Sequence, residues 1–298
     1  MVNLNEKRVI ALGFFDSLHK GHVELLKKAL KKKSEFNAKL LVFTFGDEFL
    51  STLGREDGEV FLYREREAIL KELGVDEVVR FPTDKEFFRL SPLSFLDYVS
   101  AYNPVSVVVG EDYKFGYKAE GNVNLLSDYF SKKNIEVFVH PLLFESGKKI
   151  ASTTVRNLLF EGKIEEANEF LSKKFFYSGY VKRGRGDGRK VVFPTINLEI
   201  EPHKIVVKNG VYYTNTKLGG KEYLSITNVG NHPTFNDKKI NVETYVFDYE
   251  GSAYDDYVIV EFNSFIRDIR RFDNPHELRE QIEKDIEFIK KHVKESNL

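Results

Sequence analysis

The hydrophobic periodicity of the chain changes once, near residue 175, and that change constrains the fold more than any other feature. Before it, the short apolar runs "RVIALGFF", "KLLVFTF", "DEVVRF", "VSVVVG" and "IEVFVH" alternate with the amphipathic patterns "HVELLKKALKKK", "YREREAILKELG", "SPLSFLDYVSAY" and "NVNLLSDYFSKK". Apolar strands that return through helices predict a parallel sheet covered on both faces. In the third helical pattern Ser91 is a natural N-cap, with Pro92 at the first helical position. Two short helical patterns, "VRNLLFEG" and "IEEANEFLSKKF", read as a connector. After them the pattern is strand-like: "FFYSGYVKRG", "KVVFPTINLEI", "NGVYYTNTKL", "KEYLSITNVG", "INVETYVFDYEG" and "YVIVEFNSFI". Short strands joined by Gly, Asn and Asp turns predict a small antiparallel barrel. The last segment predicts one amphipathic helix whose stripe, Leu278, Ile282, Ile286, Ile289 and Val293, packs on that barrel. The expected division is an α/β domain over 1–157, a helical connector over 158–174 and a β domain over 175–298.

The chain has 298 residues, enough for two domains with separate cores. Its 45 basic and 46 acidic residues leave a net charge of −1, which gives no global electrostatic case for nucleic acid or an anionic membrane. With no cysteine, disulfides, thiolate chemistry and cysteine-bound zinc are excluded. No early run reads as a secretory signal, and no stretch approaches the ~20 apolar residues of a membrane span, so the expected compartment is the cytoplasm. Nothing in the sequence points to an obligate protein partner.

The turn that ends the first strand, "GFFDSLHKGH", carries the first chemical signal. His19 and His22 are three residues apart, one helical turn, at a strand–turn–helix junction. Unpaired N–H groups at such a helix start attract phosphate, and open parallel sheets bind ligands beyond the carboxyl ends of their strands. By spacing alone the pair is also compatible with plain helix surface; a metal pair would need a third ligand, and none is near in sequence. Further on, "ASTTVR" places Ser152 and Thr153 before a helical run with Arg156 one turn later. That pattern fits an ordinary N-cap, and it also fits a phosphate clamp of hydroxyls, N–H groups and a guanidinium.

Together these segments resemble the HxGH nucleotidyltransferases, and "GEDYKFG", residues 110–116, resembles a segment of their prokaryotic FAD synthetase branch. The resemblance implies a Rossmann-like α/β domain in which His19, His22 and Arg156 support transfer of AMP. It implies ATP-binding roles for Gly13, Phe15, Asp16, His19, His22, Gly110, Asp112, Ser152, Thr153 and Arg156. Ser17 stands where that family usually has Gly and is placed to cap the helix. "FTFGDEFL" stands where it often has a Pro-His-Pro-like turn.

In the second half, "GYVKRGRGDGRKVVFPTINL" is rich in Gly and cations. It reads either as a solvated hairpin tip or as a glycine-rich loop folding over phosphates between two strands. Thr195 and Asn197 alternate with Ile196 and project from one strand face, where a hydroxyl and an amide carbonyl suit Mg²⁺ shared with substrate phosphates. Glu243 shares a face with Tyr245 and Phe247, opposite Val242, Thr244 and Val246. That makes it either an edge-strand charge or a general base for a hydroxyl.

The loop, "FPTIN", "NVGNHPTF" and "VETYVFDY" resemble riboflavin kinase, with Val192 for a usual Gly and Ile196 for a usual Ala. That resemblance implies that Glu243 activates the riboflavin 5′-hydroxyl and that Thr195 and Asn197 bind Mg²⁺ and ATP phosphate. It extends ATP contact to Gly179, Lys182, Gly186 and Gly188. The order of the motifs resembles the prokaryotic bifunctional riboflavin kinase/FAD synthetase family, implying riboflavin, FMN and ATP as small-molecule partners and Mg²⁺ with ATP as cofactor.

Overall fold

The computed structural model describes residues 6–145, 147–182, 193–231 and 240–296. The chain divides into two compact units. The first comprises Met1–Val155, Phe170–Ser172 and His203–Ile205; the second comprises Arg156–Glu169, Lys173–Pro202 and Val206–Leu298.

The first unit is built on β1 (Arg8–Leu12), β2 (Lys39–Thr44), β3 (Glu77–Arg80), β4 (Pro104–Gly110) and β5 (Glu136–His140). They form one parallel sheet in the order β3-β2-β1-β4-β5. Every residue of β1 is buried, as expected of a central parallel strand with both faces covered. Helix α1 (Lys20–Phe36) lies against β1, β2 and β4 and buries Leu25, Leu26 and Ala29. On the other side Ile10, Leu12, Leu41, Phe43, Val107 and Val109 pack with α4 (Pro92–Ser100) and α5 (Val123–Ser131) through Phe95, Leu96, Val99, Leu126 and Phe130. Ser91 caps α4, accepting from the N–H of Ser94, and Asn122 caps α5. Among the described residues, α2 (Phe49–Thr52), two 3₁₀ turns (Phe87–Arg89 and Tyr117–Ala119) and the two-residue strands β6 (Phe144–Glu145) and β7 (Lys148–Lys149) had no sequence signal. The second helical pattern of the sequence forms α3 (Tyr63–Glu72). The connector patterns form α6 (Ser152–Glu161) and α7 (Ile164–Phe170).

The second unit contains β8 (Phe176–Tyr180), β9 (Ile196–Glu199), β10 (Gly210–Leu218), β11 (Lys221–Asn231), β12 (Ile240–Val246) and β13 (Tyr257–Arg267). All pairs are antiparallel, in the order β8-β13-β10-β11-β12-β9. Just beyond β8, the Lys182 N–H donates to the Asn197 carbonyl at 3.0 Å and nearly closes the barrel. Its interior is less oily than alternation alone suggests. Thr214, Thr216, Ser225, Thr227 and Thr244 are fully buried and bond one another at 2.8–2.9 Å. They form one chain, Thr216–Ser225–Thr214–Thr227–Thr244, in which each inner hydroxyl can donate to one neighbour and accept from the other.

Helix α8 (Pro275–Ser296) lays the C-terminal part of its stripe on the barrel: Ile289, fully buried, meets Val211, Ile226 and Phe247, with Ile286 and Val293 alongside. Arg267 anchors it through two nitrogens to Asp285, at 3.0 and 2.8 Å. Ile289→Ala is expected to cost about 3 kcal/mol, read as a lower urea midpoint at unchanged slope.

Candidate active sites

In the first unit the sheet order reverses between β1 and β4, so their carboxyl ends open a crevice. The Gly13–His22 turn leaves β1 there, and Gly110–Asp112 leaves β4. The turn is conformationally costly: Phe15 (φ 54°) and Leu18 (φ 43°) are left-handed although neither is glycine. Both side chains are fully buried, and that burial offsets the strain.

His19, rather than Ser17, caps α1. Its Nδ1 accepts from the N–H of His22 at 3.2 Å, and the two rings stack with centroids 3.6 Å apart. An imidazole that accepts at Nδ1 keeps its proton on Nε2, so His19 presents an N–H donor. Gly21 makes the stack possible, since a Cβ there would lie 3.1 Å from two atoms of the His19 ring. Ser17 is free for another task, and its hydroxyl meets that of Ser152 at 3.0 Å across 135 residues of sequence. Ser152 is the first residue of α6, Thr153 is exposed beside it, and Arg156 lies one turn further along α6, buried.

Burial lowers the His19 pKa to about 4 and takes His22 well below its ordinary value, with the neighbouring His19 and then Arg66 adding to the effect. His22 Nδ1 is buried with no hydrogen-bond partner among the described residues. Between pH about 6.5 and 4 the unfolded chain therefore binds protons at these rings that the folded chain does not, and stability falls as pH falls through that window. For His19 alone the loss is on the order of 2–3 kcal/mol. Unfolding midpoints at pH 7 and pH 4.5 should show it, and His19→Asn, which keeps a cap, should remove the His19 share of the dependence and leave that of His22.

Asp16 faces inward: its Oδ1 accepts from the N–H of Val60 at 2.9 Å, and its carbonyl accepts from that of Phe61. Gly13 donates to the Phe43 carbonyl, and a Cβ there would press on the Phe15 ring at 2.9 Å. Asp112 is exposed and pairs with Lys149 at 2.8 Å. Both charges reach His19, Asp112 raising its pKa and Lys149 lowering it. Supports that had no sequence signal complete the turn. Arg66, fully buried, donates to the Phe14 and Phe45 carbonyls and pairs with buried Glu59 at 2.9 Å. Thr44 also donates to the Phe14 carbonyl, and Ser172 donates to that of Leu18. The "FTFGDEFL" segment contributes rings: Phe45 and Phe49 stack at 3.8 Å, with Phe14 edge-on to Phe49.

In the second unit the register sets Glu243 directly opposite Asn197 on β9 and Asn228 on β11. Directly opposed residues of an antiparallel pair share a face. Glu243 is half-buried there with Tyr245, while Val242, Thr244 and Val246 point inward. Thr195 is exposed just before β9, Gly179 is buried in β8, and Lys182 follows β8 and pairs with Glu199. Gly186, Gly188 and Val192, like most of the glycine-rich loop and residues 232–239, lie outside the described residues. Beside the Glu243 face a groove of about 310 Å³ is lined by Phe193, Tyr245, Phe247, Asp248, Ile286 and Lys290 among others. Among the described residues no group of three or more His, Cys, Asp and Glu could hold a metal. The donors at the β9 edge are instead the neutral hard oxygens of Thr195 and Asn197, which suit a cation held mainly by nucleotide phosphates.

A parallel sheet with a strand–turn–helix junction at its switch point, followed by a nearly closed barrel with a carboxylate beside an aromatic groove, fits an ATP-dependent transferase. Family models agree: FAD synthetase matches residues 2–154 and riboflavin kinase matches residues 171–293. Proteins named bifunctional riboflavin kinase/FMN adenylyltransferase align over nearly the whole chain. That of Listeria monocytogenes is 32% identical, covering 93% of this chain and 90% of its own. That of Bacillus subtilis is 32% identical over 94% and 90%, and that of Escherichia coli K12 29% over 93% and 90%. A Streptococcus pneumoniae crystal structure titled as a macrolide-efflux protein superposes with TM-score 0.87 at 28% identity, covering 97% of both chains. The chain belongs to the bifunctional riboflavin kinase/FMN adenylyltransferase family and makes flavin cofactors, phosphorylating riboflavin to FMN and adenylylating FMN to FAD. Both reactions use ATP and, as ATP-dependent transfers, a divalent metal ion. No helix among the described residues is long and apolar enough to cross a membrane.

Proposed function

We propose that AMP transfer takes place at the Gly13–His22 turn and phosphoryl transfer at the β9–β12 edge, with residues 1–157 and 175–298 as the two catalytic domains and 158–174 between them. The observation that carries the first assignment is the Ser17–Ser152 hydrogen bond, which joins the histidine turn to the start of α6. ATP lies along the turn, its phosphates on the free N–H groups at the starts of α1 and α6. His19 donates from Nε2 to the phosphoryl oxygens, and His22, stacked beneath it, fixes the ring plane. Ser152, Thr153 and Arg156 hold the triphosphate, and Gly110 and Asp112 line the nucleoside side. Gly13, Phe15 and Asp16 act through the shape of the turn. No covalent intermediate is needed: the FMN phosphate attacks the α-phosphorus, pyrophosphate leaves, and the site aligns the two and stabilises the growing charge.

At the other centre Glu243 takes the proton of the riboflavin 5′-hydroxyl as that oxygen attacks the γ-phosphorus of a second ATP. The flavin ring occupies the groove beside Tyr245 and Phe247. Gly179, Lys182, Gly186 and Gly188 follow the nucleotide, and Thr195 and Asn197 hold its cation, which we take to be Mg²⁺. When bound, that ion neutralises charge on the phosphates. The enzyme works in the cytoplasm with small-molecule partners only. Ser152→Ala is the direct test of the first assignment. The KM for ATP in adenylyl transfer should rise about tenfold, for loss of one hydrogen bond to a charged group, while riboflavin phosphorylation keeps its rate. An unchanged KM removes Ser152 from the ATP site.

A further inference from the structure

Three residues far along the chain, His203–Ile205, are built into the first unit although the riboflavin kinase family model spans them. The Glu59 N–H donates to the His203 carbonyl at 2.6 Å, and the Ile205 N–H donates to the Glu59 carbonyl at 2.9 Å, a parallel bridge. The fit is tight. Gly58 (φ 74°) approaches so closely that a Cβ would lie 2.7 Å from the Ile205 nitrogen, and His203 itself is left-handed at φ 66°. Between them Lys204 points inward, 6% exposed, with its ammonium on the Glu65 carboxylate and 5.2 Å from the centre of the Phe61 ring.

These partners lead straight to the histidine turn. Glu65 also accepts from the N–H of Leu62 at 2.9 Å, and Glu59 pairs with Arg66, which holds the Phe14 carbonyl. Val60 and Phe61, between the two acids, are the residues that bind Asp16. Burial lowers the Lys204 pKa against the pull of Glu65, Asp16 and Asp47, so Asp16 lies within electrostatic reach of the ammonium. In this cluster the buried charges are Arg66 and Lys204 with Asp16, Glu59 and Glu65. Removing one cation from such a cluster leaves a buried carboxylate uncompensated, which strains its surroundings far more than removing both partners.

We propose that Lys204 is a positioning residue for adenylyl transfer: its buried charge, seated through Glu65 and the 59–62 segment, fixes Asp16 and with it the turn that carries His19 and His22. This rests on the reading of that turn as the adenylyl-transfer site. It also means that a residue lying between two barrel strands in sequence controls the other reaction.

The test uses the full-length protein and follows both activities with flavins separated by chromatography. Lys204→Met should lower kcat for FMN adenylylation about a hundredfold, the cost of roughly 1 Å of misplacement, with the KM for ATP little changed and riboflavin phosphorylation at the wild-type rate. Lys204→Met with Glu65→Gln, which removes both charges and keeps the acceptor for Leu62, should recover to within about tenfold of wild type, the sign of a charge pair rather than lost packing. Adenylylation unaffected by Lys204→Met overturns the proposal. So does equal loss of both activities, or a double variant with intact kinase turnover and no recovery. If Lys204→Met does not fold, the double variant decides alone by the same criterion. Failure of the underlying site reading looks different: FAD formation would survive loss of His19 and His22, whatever Lys204→Met does.

Discussion

With His19→Ala and His22→Ala combined, riboflavin is converted to FMN at the wild-type rate and FAD formation falls by about three orders of magnitude, the effect of removing preorganised donors from a developing phosphoryl charge. The magnitude follows from the local geometry. His19 spends Nδ1 on capping α1, which leaves an Nε2–H fixed in direction by the stacked His22 ring. Burial keeps the pair neutral near pH 7, so the donor is present over the whole physiological range and needs no prior protonation. Alanine at an N-cap costs about 1 kcal/mol of stability, too little to unfold a domain whose β1 is fully buried. His19→Asn separates the two roles: asparagine restores the cap, so stability returns while FAD formation stays low. Assays of both products in the two variants check this. A variant that still forms FAD at a tenth of the wild-type rate or better contradicts the assignment.

The second large effect is expected on the barrel. Glu243→Gln should reduce riboflavin phosphorylation by about two to four orders of magnitude, the contribution of a positioned general base. FMN supplied directly should still be adenylylated normally. The substitution is nearly isosteric and sits on the outward face of β12, opposite the buried Val242, Thr244 and Val246, so the barrel has no reason to loosen. Its neighbours across the sheet, Asn197 and Asn228, keep their register through backbone bonds. Thermal unfolding within a degree or two of wild type, together with lost phosphorylation, would separate chemistry from folding. Unchanged turnover would remove Glu243 from the mechanism.

Much of the architecture was legible because periodicity is a direct record of burial. The apolar run "VSVVVG" became β4, and the stripe ending at Ile289 and Val293 became the seam of α8. The strand–turn–helix setting of His19 and His22 was legible for the same reason, and the alternation around Glu243 gave its face. What sequence alone could not give was long-range pairing. Ser17 looked like a helix cap, yet His19 caps α1 and Ser17 reaches Ser152. Arg66 and Glu59 carried no signal in the sequence. Only the fold buries them together under the turn, where each justifies the other. Lys204 carried no signal at all, since its partner Glu65 is 139 residues away. The hydroxyl chain inside the barrel was hidden differently: Thr alternates in a strand equally well facing a core or facing water.

On the proposed assignment, one chain holds two centres that work independently on successive flavins. Complementation tests it most directly. Riboflavin, ATP and Mg²⁺ are given to the His19→Ala/His22→Ala protein, to the Glu243→Gln protein, and to an equimolar mixture, and the flavins are followed by chromatography. The first should accumulate FMN, the second should leave riboflavin unconverted, and the mixture should make FAD after a lag in which FMN rises and falls. A mixture that makes no FAD, although the first variant releases FMN, would contradict the account.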